Sequence, residues 1–89
     1  MKVEKEIVIK NKTGLHARPA ALFVQAANKY KSEITLIKEG QSVNGKSIMG
    51  ILMLAAEMGV KMVICAVGDD AEDAVTKLSA MLMSDDLDT

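Results

Sequence analysis

The apolar positions of this chain follow two spacings that alternate along it. From Val3 to Ile9 apolar and charged residues interleave, the pattern of a half-buried strand. Asn11-Lys12-Thr13-Gly14 interrupts it with loop-forming residues. From Ala17 onward, Ala20, Phe23, Val24, Ala27 and Tyr30 recur at helical spacing. Pro19 suits only a first helical turn, so this helix is predicted to start at about His16. Glu33 to Glu39 carries β-branched residues and reads as a second strand, and Glu39-Gly40 turns the chain into a short return strand, Gln41 to Asn44. Ser47 is a good N-cap for a second helix, predicted to run to Met58 with Gly59 just past its end. Val60 to Val67 is a nearly continuous apolar strand. After Gly68-Asp69-Asp70, the residues Ala71, Ala74, Val75, Leu78 and Leu82 mark one face of a third helix. The order βαββαβα, with one sheet and helices on one face, predicts an α+β open-faced sandwich. It occupies residues 1–84 as a single domain, and residues 85–89 form a short acidic tail.

Composition narrows the function classes. Eighty-nine residues make one small domain, with no room for a separate catalytic or cofactor domain. With one Tyr, one Phe and no Trp, the core must rest on aliphatic residues and methionine. A formal net charge of −1 supplies no basic footprint for nucleic acid or an anionic membrane. The longest apolar stretch, Ile48 to Ala56, is too short to span a bilayer, and the start of the chain lacks a signal region, so a cytoplasmic protein is expected. One cysteine, Cys65, can form no internal disulfide, and inside an apolar strand it reads as a small buried hydrophobe. One His and one Cys far apart make no metal-ligand set, so neither metal nor other cofactor is expected. Asp69, Asp70, Glu72 and Asp73 suit the first turn of the third helix, where negative charge meets the positive end of the helix dipole.

The candidate chemistry lies in Thr13-Gly14-Leu15-His16-Ala17-Arg18-Pro19-Ala20, a loop running into a helix. A lone histidine is often structural or incidental. Here Leu15 and Ala17 are apolar, which leaves His16 as the polar residue exposed between two that pack. The first-turn N–H groups of a helix lack intrahelical partners and carry partial positive charge, which together favour an anion. Arg18 can add a charged fork to the same oxygens. A neutral imidazole could therefore attack phosphorus and hold the phosphoryl group it gains, provided that donor and acceptor enzymes supply the remaining catalytic groups.

Gly14-Leu15-His16-Ala17-Arg18-Pro19-Ala20 resembles the active-site signature of the HPr family, the phosphocarriers of the bacterial phosphoenolpyruvate:sugar phosphotransferase system. The resemblance covers nearly the whole chain in length and element order, and includes Val43-Asn44 and Lys46-Ser47-Ile48-Met49-Gly50. It implies an antiparallel sheet in the order 1-4-2-3 with three helices on one face. It implies that enzyme I, charged by phosphoenolpyruvate, phosphorylates His16 at Nδ1 and that His16 passes the group to the IIA domains of sugar permeases. Arg18 and the backbone N–H groups of Ala17 and Arg18 would hold the phosphoryl group. A monomer is implied as well, since one patch must meet large partners in turn. The nitrogen-branch carrier shares the histidine motif, but Lys46-Ser47-Ile48-Met49-Gly50 favours the sugar branch.

The second predicted helix is apolar round too much of its circumference for one buried face, which suggests either a loose core helix or an exposed docking patch. Methionine suits a surface that meets several partners. The resemblance favours the patch, because Ile48, Met49 and Leu52 match partner-contacting positions. It also implies that a serine kinase/phosphorylase could act on Ser47, and that a transcription regulator could bind the product. A phosphate there would sit at a helix N-terminus that tolerates it, beside the apolar patch that enzyme I must cover. Gly40-Gln41-Ser42-Val43-Asn44-Gly45-Lys46-Ser47 also matches the phosphate-binding loop of nucleotide hydrolases. Those folds need a parallel sheet covered on both faces, which so few elements cannot build, so the match is read as accidental.

Overall fold

The computed structural model describes residues 1–12 and 14–84; the predicted acidic tail, residues 85–89, lies outside the described residues, as does Thr13. Within them the chain forms β1 (Lys2–Val8), α1 (Ala17–Ala27), β2 (Glu33–Lys38), β3 (Gln41–Asn44), α2 (Ile48–Met53), β4 (Lys61–Val67) and α3 (Ala71–Leu82), the predicted order. The strands make one antiparallel sheet in the order β1-β4-β2-β3. The most apolar strand, β4, thus lies in the interior of the sheet, between β1 and β2.

Strand alternation sorts the two sheet faces. Ile7, Ile34, Leu36, Met62, Ile64 and Ala66 are buried on the face that meets the helices. Phe23 and Ala20 of α1, Ile51 of α2 and Ala74, Leu78 and Leu82 of α3 close the same core. The single Phe is its largest side chain, so packing rests on interdigitated aliphatics. On the other face Glu4, Cys65 and Thr35 stand side by side in register, with Glu6, Val63 and Ile37 in the next row. Cys65 is buried there, as its place in an apolar strand suggests.

The β2–β3 hairpin turns at Glu39-Gly40, both with positive φ (51° and 81°), which matches the right-handed twist of the flanking strands. At the other end of β2, Asp70 accepts hydrogen bonds from the N–H of Lys31 (2.8 Å), the N–H of Ser32 (3.0 Å) and the Ser32 hydroxyl. The Ser32 hydroxyl, followed by the Lys31 N–H, holds the Asp70 carboxyl below its ordinary range. Asp70 stands at the N-cap position of α3, but its side chain does not cap that helix. The prediction for Asp70 is therefore corrected: the carboxylate ties the start of α3 to the segment entering β2.

The second correction concerns α2. It ends at Met53, with Leu54 as C-cap, and not at Met58. Ala55 takes a positive φ of 52° just beyond the C-cap, where a left-handed residue commonly stops a helix. Lys38 Nζ donates to the carbonyls of Leu54 (2.9 Å) and Ala55 (3.3 Å) at the helix end. Gly59 serves a different turn, one closed by the Val60 N–H donating to Glu57 C=O at 3.1 Å, and its own N–H donates to Ile9 at 2.8 Å. It introduces β4 and terminates no helix.

Candidate functional site

Two polar contacts shape the loop before α1. The buried Asn11 donates from its amide to Gly14 C=O (2.8 Å), and the Gly14 N–H donates back to Asn11 C=O (3.0 Å). The Leu15 N–H then donates to Ala56 C=O at 2.8 Å, which locks this loop against the segment after α2. The two backbones are in direct contact: a Cβ on Gly14, whose φ is +71°, would lie 2.5 Å from the Ala56 oxygen and 3.0 Å from Glu57 Cα. Only glycine fits there. Leu15 and Pro19 are buried, so they anchor the chain on either side of the exposed His16, Ala17 and Arg18.

His16 is the N-cap residue of α1, with extended backbone (φ −87°, ψ −167°) and a side chain that makes no capping hydrogen bond. The helical ladder begins with the Ala20 N–H donating to His16 C=O at 2.8 Å. Pro19 brings no N–H, so the first-turn donors left before that bond are those of Ala17 and Arg18. The structure therefore leaves an exposed imidazole, two N–H groups ahead of the helical ladder and the exposed Arg18 side chain on the first turn of the same helix. That set can accept an oxyanion and stabilise it.

His16 also borders two shallow depressions. One, of about 250 Å³, is lined by Leu15, His16, Leu52, Ala55, Ala56 and Glu57. The other, of about 440 Å³, is lined by Lys12, His16, Glu57 and Met58. The contact between the loops thus places Leu52 of α2 beside the imidazole. Ile48, Met49 and Leu52 are exposed, and so are Met53 (69%) and Met58 (59%), which sequence reasoning did not single out. Met53, the last residue of α2, belongs to the apolar excess of that segment, which by itself does not tell its exposed members from its buried ones. Lys12 and Glu57 were missed because the loop-to-loop contact that brings them to His16 has no periodicity in the sequence.

Ser47 is the N-cap of α2 as predicted, and its Oγ accepts from the Gly50 N–H at 3.1 Å. The nucleotide-loop resemblance fails on the same stretch. Lys46 Nζ donates to Tyr30 C=O (2.6 Å), and the Gly45 N–H donates to Ile34 C=O (2.7 Å). The groups that would wrap phosphates are spent on the fold, and the strand preceding them is antiparallel.

An open-faced sandwich with an exposed histidine at the N-cap of its first helix is the architecture of a histidine phosphocarrier. The family described as "PTS HPr component phosphorylation site" matches residues 3–84, so the chain belongs to the HPr phosphocarrier family of the phosphotransferase system. The HPr-like protein Crh of Bacillus subtilis is 45% identical over 83 residues, covering 93% of this chain and 98% of that protein. The phosphocarrier protein HPr of Borreliella burgdorferi is 45% identical over 82 residues, covering 92% and 95%. The crystal structure of an HPr from Bacillus anthracis superposes with a TM-score of 0.87 at 48% identity, covering 89% of this chain and 94% of that one. A crystal structure of an HPr dimer from Thermoanaerobacter tengcongensis is similar at a TM-score of 0.67 and 53% identity, covering 84% and 86%. No helix among the described residues is long and apolar enough to cross a membrane.

Proposed function

We propose that this chain is a cytoplasmic, monomeric carrier that takes a phosphoryl group from enzyme I onto His16 and gives it to sugar-specific IIA domains. The observation that supports this best is the convergence of the exposed imidazole with the free first-turn N–H groups of Ala17 and Arg18. The unprotonated Nδ1 attacks phosphorus as the bond from phosphorus to the donor breaks. The three phosphoryl oxygens then meet the two N–H groups, which the helix fixes before the group arrives, and the Arg18 guanidinium. In the second step the acceptor attacks, and the electron pair of the P–N bond returns to Nδ1. No metal or cofactor is assigned to this chain in either step, and the partners supply the rest of each transition state. Ile48, Met49 and Leu52, extended by Met53 and Met58, form the surface those partners cover.

The test is phosphorylation by enzyme I, magnesium and phosphoenolpyruvate, followed by intact mass. One acid-labile phosphate is expected on the wild type and none on His16→Ala. No phosphate on the wild type would overturn the sugar-branch reading, and the nitrogen-branch enzyme would be tried next.

The place of Ser47 at the N-cap of α2 favours a second, compatible role in which its phosphorylation by a serine kinase controls docking and creates a ligand for a transcription regulator. The Ser47 hydroxyl sits beside Ile48 and Met49 at a helix N-terminus, so a phosphate there would charge the apolar surface without unfolding α2. His16 argues against regulation as the sole role. Ser47→Asp is expected to accept phosphate from enzyme I more slowly than wild type; an equal rate would overturn the docking explanation.

A further inference from the structure

Among the described residues, Glu57 is the one besides His16 that lines both depressions at the candidate site. Its position is fixed by backbone, since Glu57 Cα abuts Gly14 and Ala56 C=O accepts from the Leu15 N–H. Among the described residues it is also the only carboxylate lining either depression. The other charged residues near the imidazole are cations: Lys12, which lines one depression with it, and the exposed Arg18, two residues on in α1. A helix end suited to an anion thus has a carboxylate-bearing residue, its backbone held in place, lining the same depressions as the imidazole.

We propose that Glu57 is a positioning residue that keeps the phosphohistidine labile, and so raises its tendency to give the group away. This rests on His16 being the phosphoacceptor. Two effects act in the same direction. The carboxylate repels the phosphoryl dianion held by the helix N-terminus, which destabilises the charged form of the carrier relative to the free one. It also favours a proton on Nε2 of the phosphorylated ring, and a protonated ring is the better leaving group. In hydrolysis the P–Nδ1 bond breaks and a P–O bond to water forms. The electron pair returns to Nδ1, the phosphate departs with the new oxygen, and the proton lost by water passes to solvent. Transfer to an acceptor protein follows the same balance, with the acceptor's nucleophile in place of water. Glu57 touches no reacting atom and acts only through the field at the ring.

The experiment charges wild type, Glu57→Gln and Glu57→Asp with enzyme I and phosphoenolpyruvate, removes the donor, and follows loss of phosphohistidine by phosphorus NMR across pH. Glu57 is exposed, and unchanged melting temperatures control for folding. The glutamine variant is expected to hold its phosphate roughly two- to fivefold longer near neutral pH, the size of an exposed charge–charge interaction. Its hydrolysis should also fall off at a lower pH than in wild type, because the ring loses its proton more readily. The aspartate variant should return most of the way to wild type in both readouts. Equal lifetimes and equal pH profiles in all three would overturn the role of Glu57 while leaving His16 as the carrier. A wild type that takes no phosphate would overturn both.

Discussion

At the scale of single residues, the site depends on two backbone positions that are not interchangeable. Gly14 has a positive φ and no room for a Cβ against Ala56. Gly14→Ala should cost on the order of 1–3 kcal/mol, through left-handed strain and the opening of the contact with Ala56. Ala55 has a positive φ with a side chain attached. A left-handed alanine is strained by roughly 1–2 kcal/mol, and a glycine there gives part of that back in unfolded-chain entropy. Ala55→Gly should therefore stabilise the protein by about 0.5–1 kcal/mol. Urea denaturation of both variants against wild type checks the opposite signs; a stabilising change at Gly14 or a clear loss at Ala55 would contradict the backbone account.

At the scale of elements, α2 divides its residues between core and partner surface. Leu54, just past its end, is buried at 2%, whereas Met53 beside it is 69% exposed. Leu54→Ala should cost about 2–5 kcal/mol of stability. Met53→Ser should change stability by no more than about 0.5 kcal/mol. If Met53 belongs to the docking surface, its loss should instead raise the concentration of carrier that half-saturates enzyme I by about fivefold. Steady-state phosphorylation together with thermal melts separates the two effects. This helix also marks the limit of what the sequence makes legible. Element order, strand positions, α1 and α3 follow from hydrophobic spacing, with edges shifted by a residue except at the end of α1, which stops at Ala27 although the spacing continues to Tyr30. Leu52 to Met58 carries good helix formers, and nothing local tells Ala55 to reverse its φ. The cause is tertiary, since Ala56 must present its carbonyl to Leu15 and Lys38 satisfies the helix end. His16, Arg18 and Ser47 were legible because each sits at a helix start, which sequence marks well. Asn11 and Glu57 were not, because their partners lie across turns or in another segment.

For the whole molecule, the Asp70 cluster joins the segment entering β2 to the start of α3. The Asp70 carboxyl, lowered in the folded chain, takes up its proton at a more acid pH than in the unfolded chain. Its contribution to stability is thus complete above the ordinary carboxylate range and is lost as pH falls through the folded value. Asp70→Asn should melt below wild type near neutrality, and the two curves should converge in strong acid. Calorimetry across that range decides it; a gap independent of pH would place the effect elsewhere.

The missing N–H of Pro19 has a consequence for how the state of the molecule could be read. The amides of Ala17 and Arg18 precede the helical ladder, so in the uncharged protein they trade hydrogen for deuterium with little hindrance. A group bound at the helix end would shield these two sites and leave the interior almost untouched. Their exchange would then act as a built-in gauge, reporting in a mixed population what fraction of the molecules is loaded.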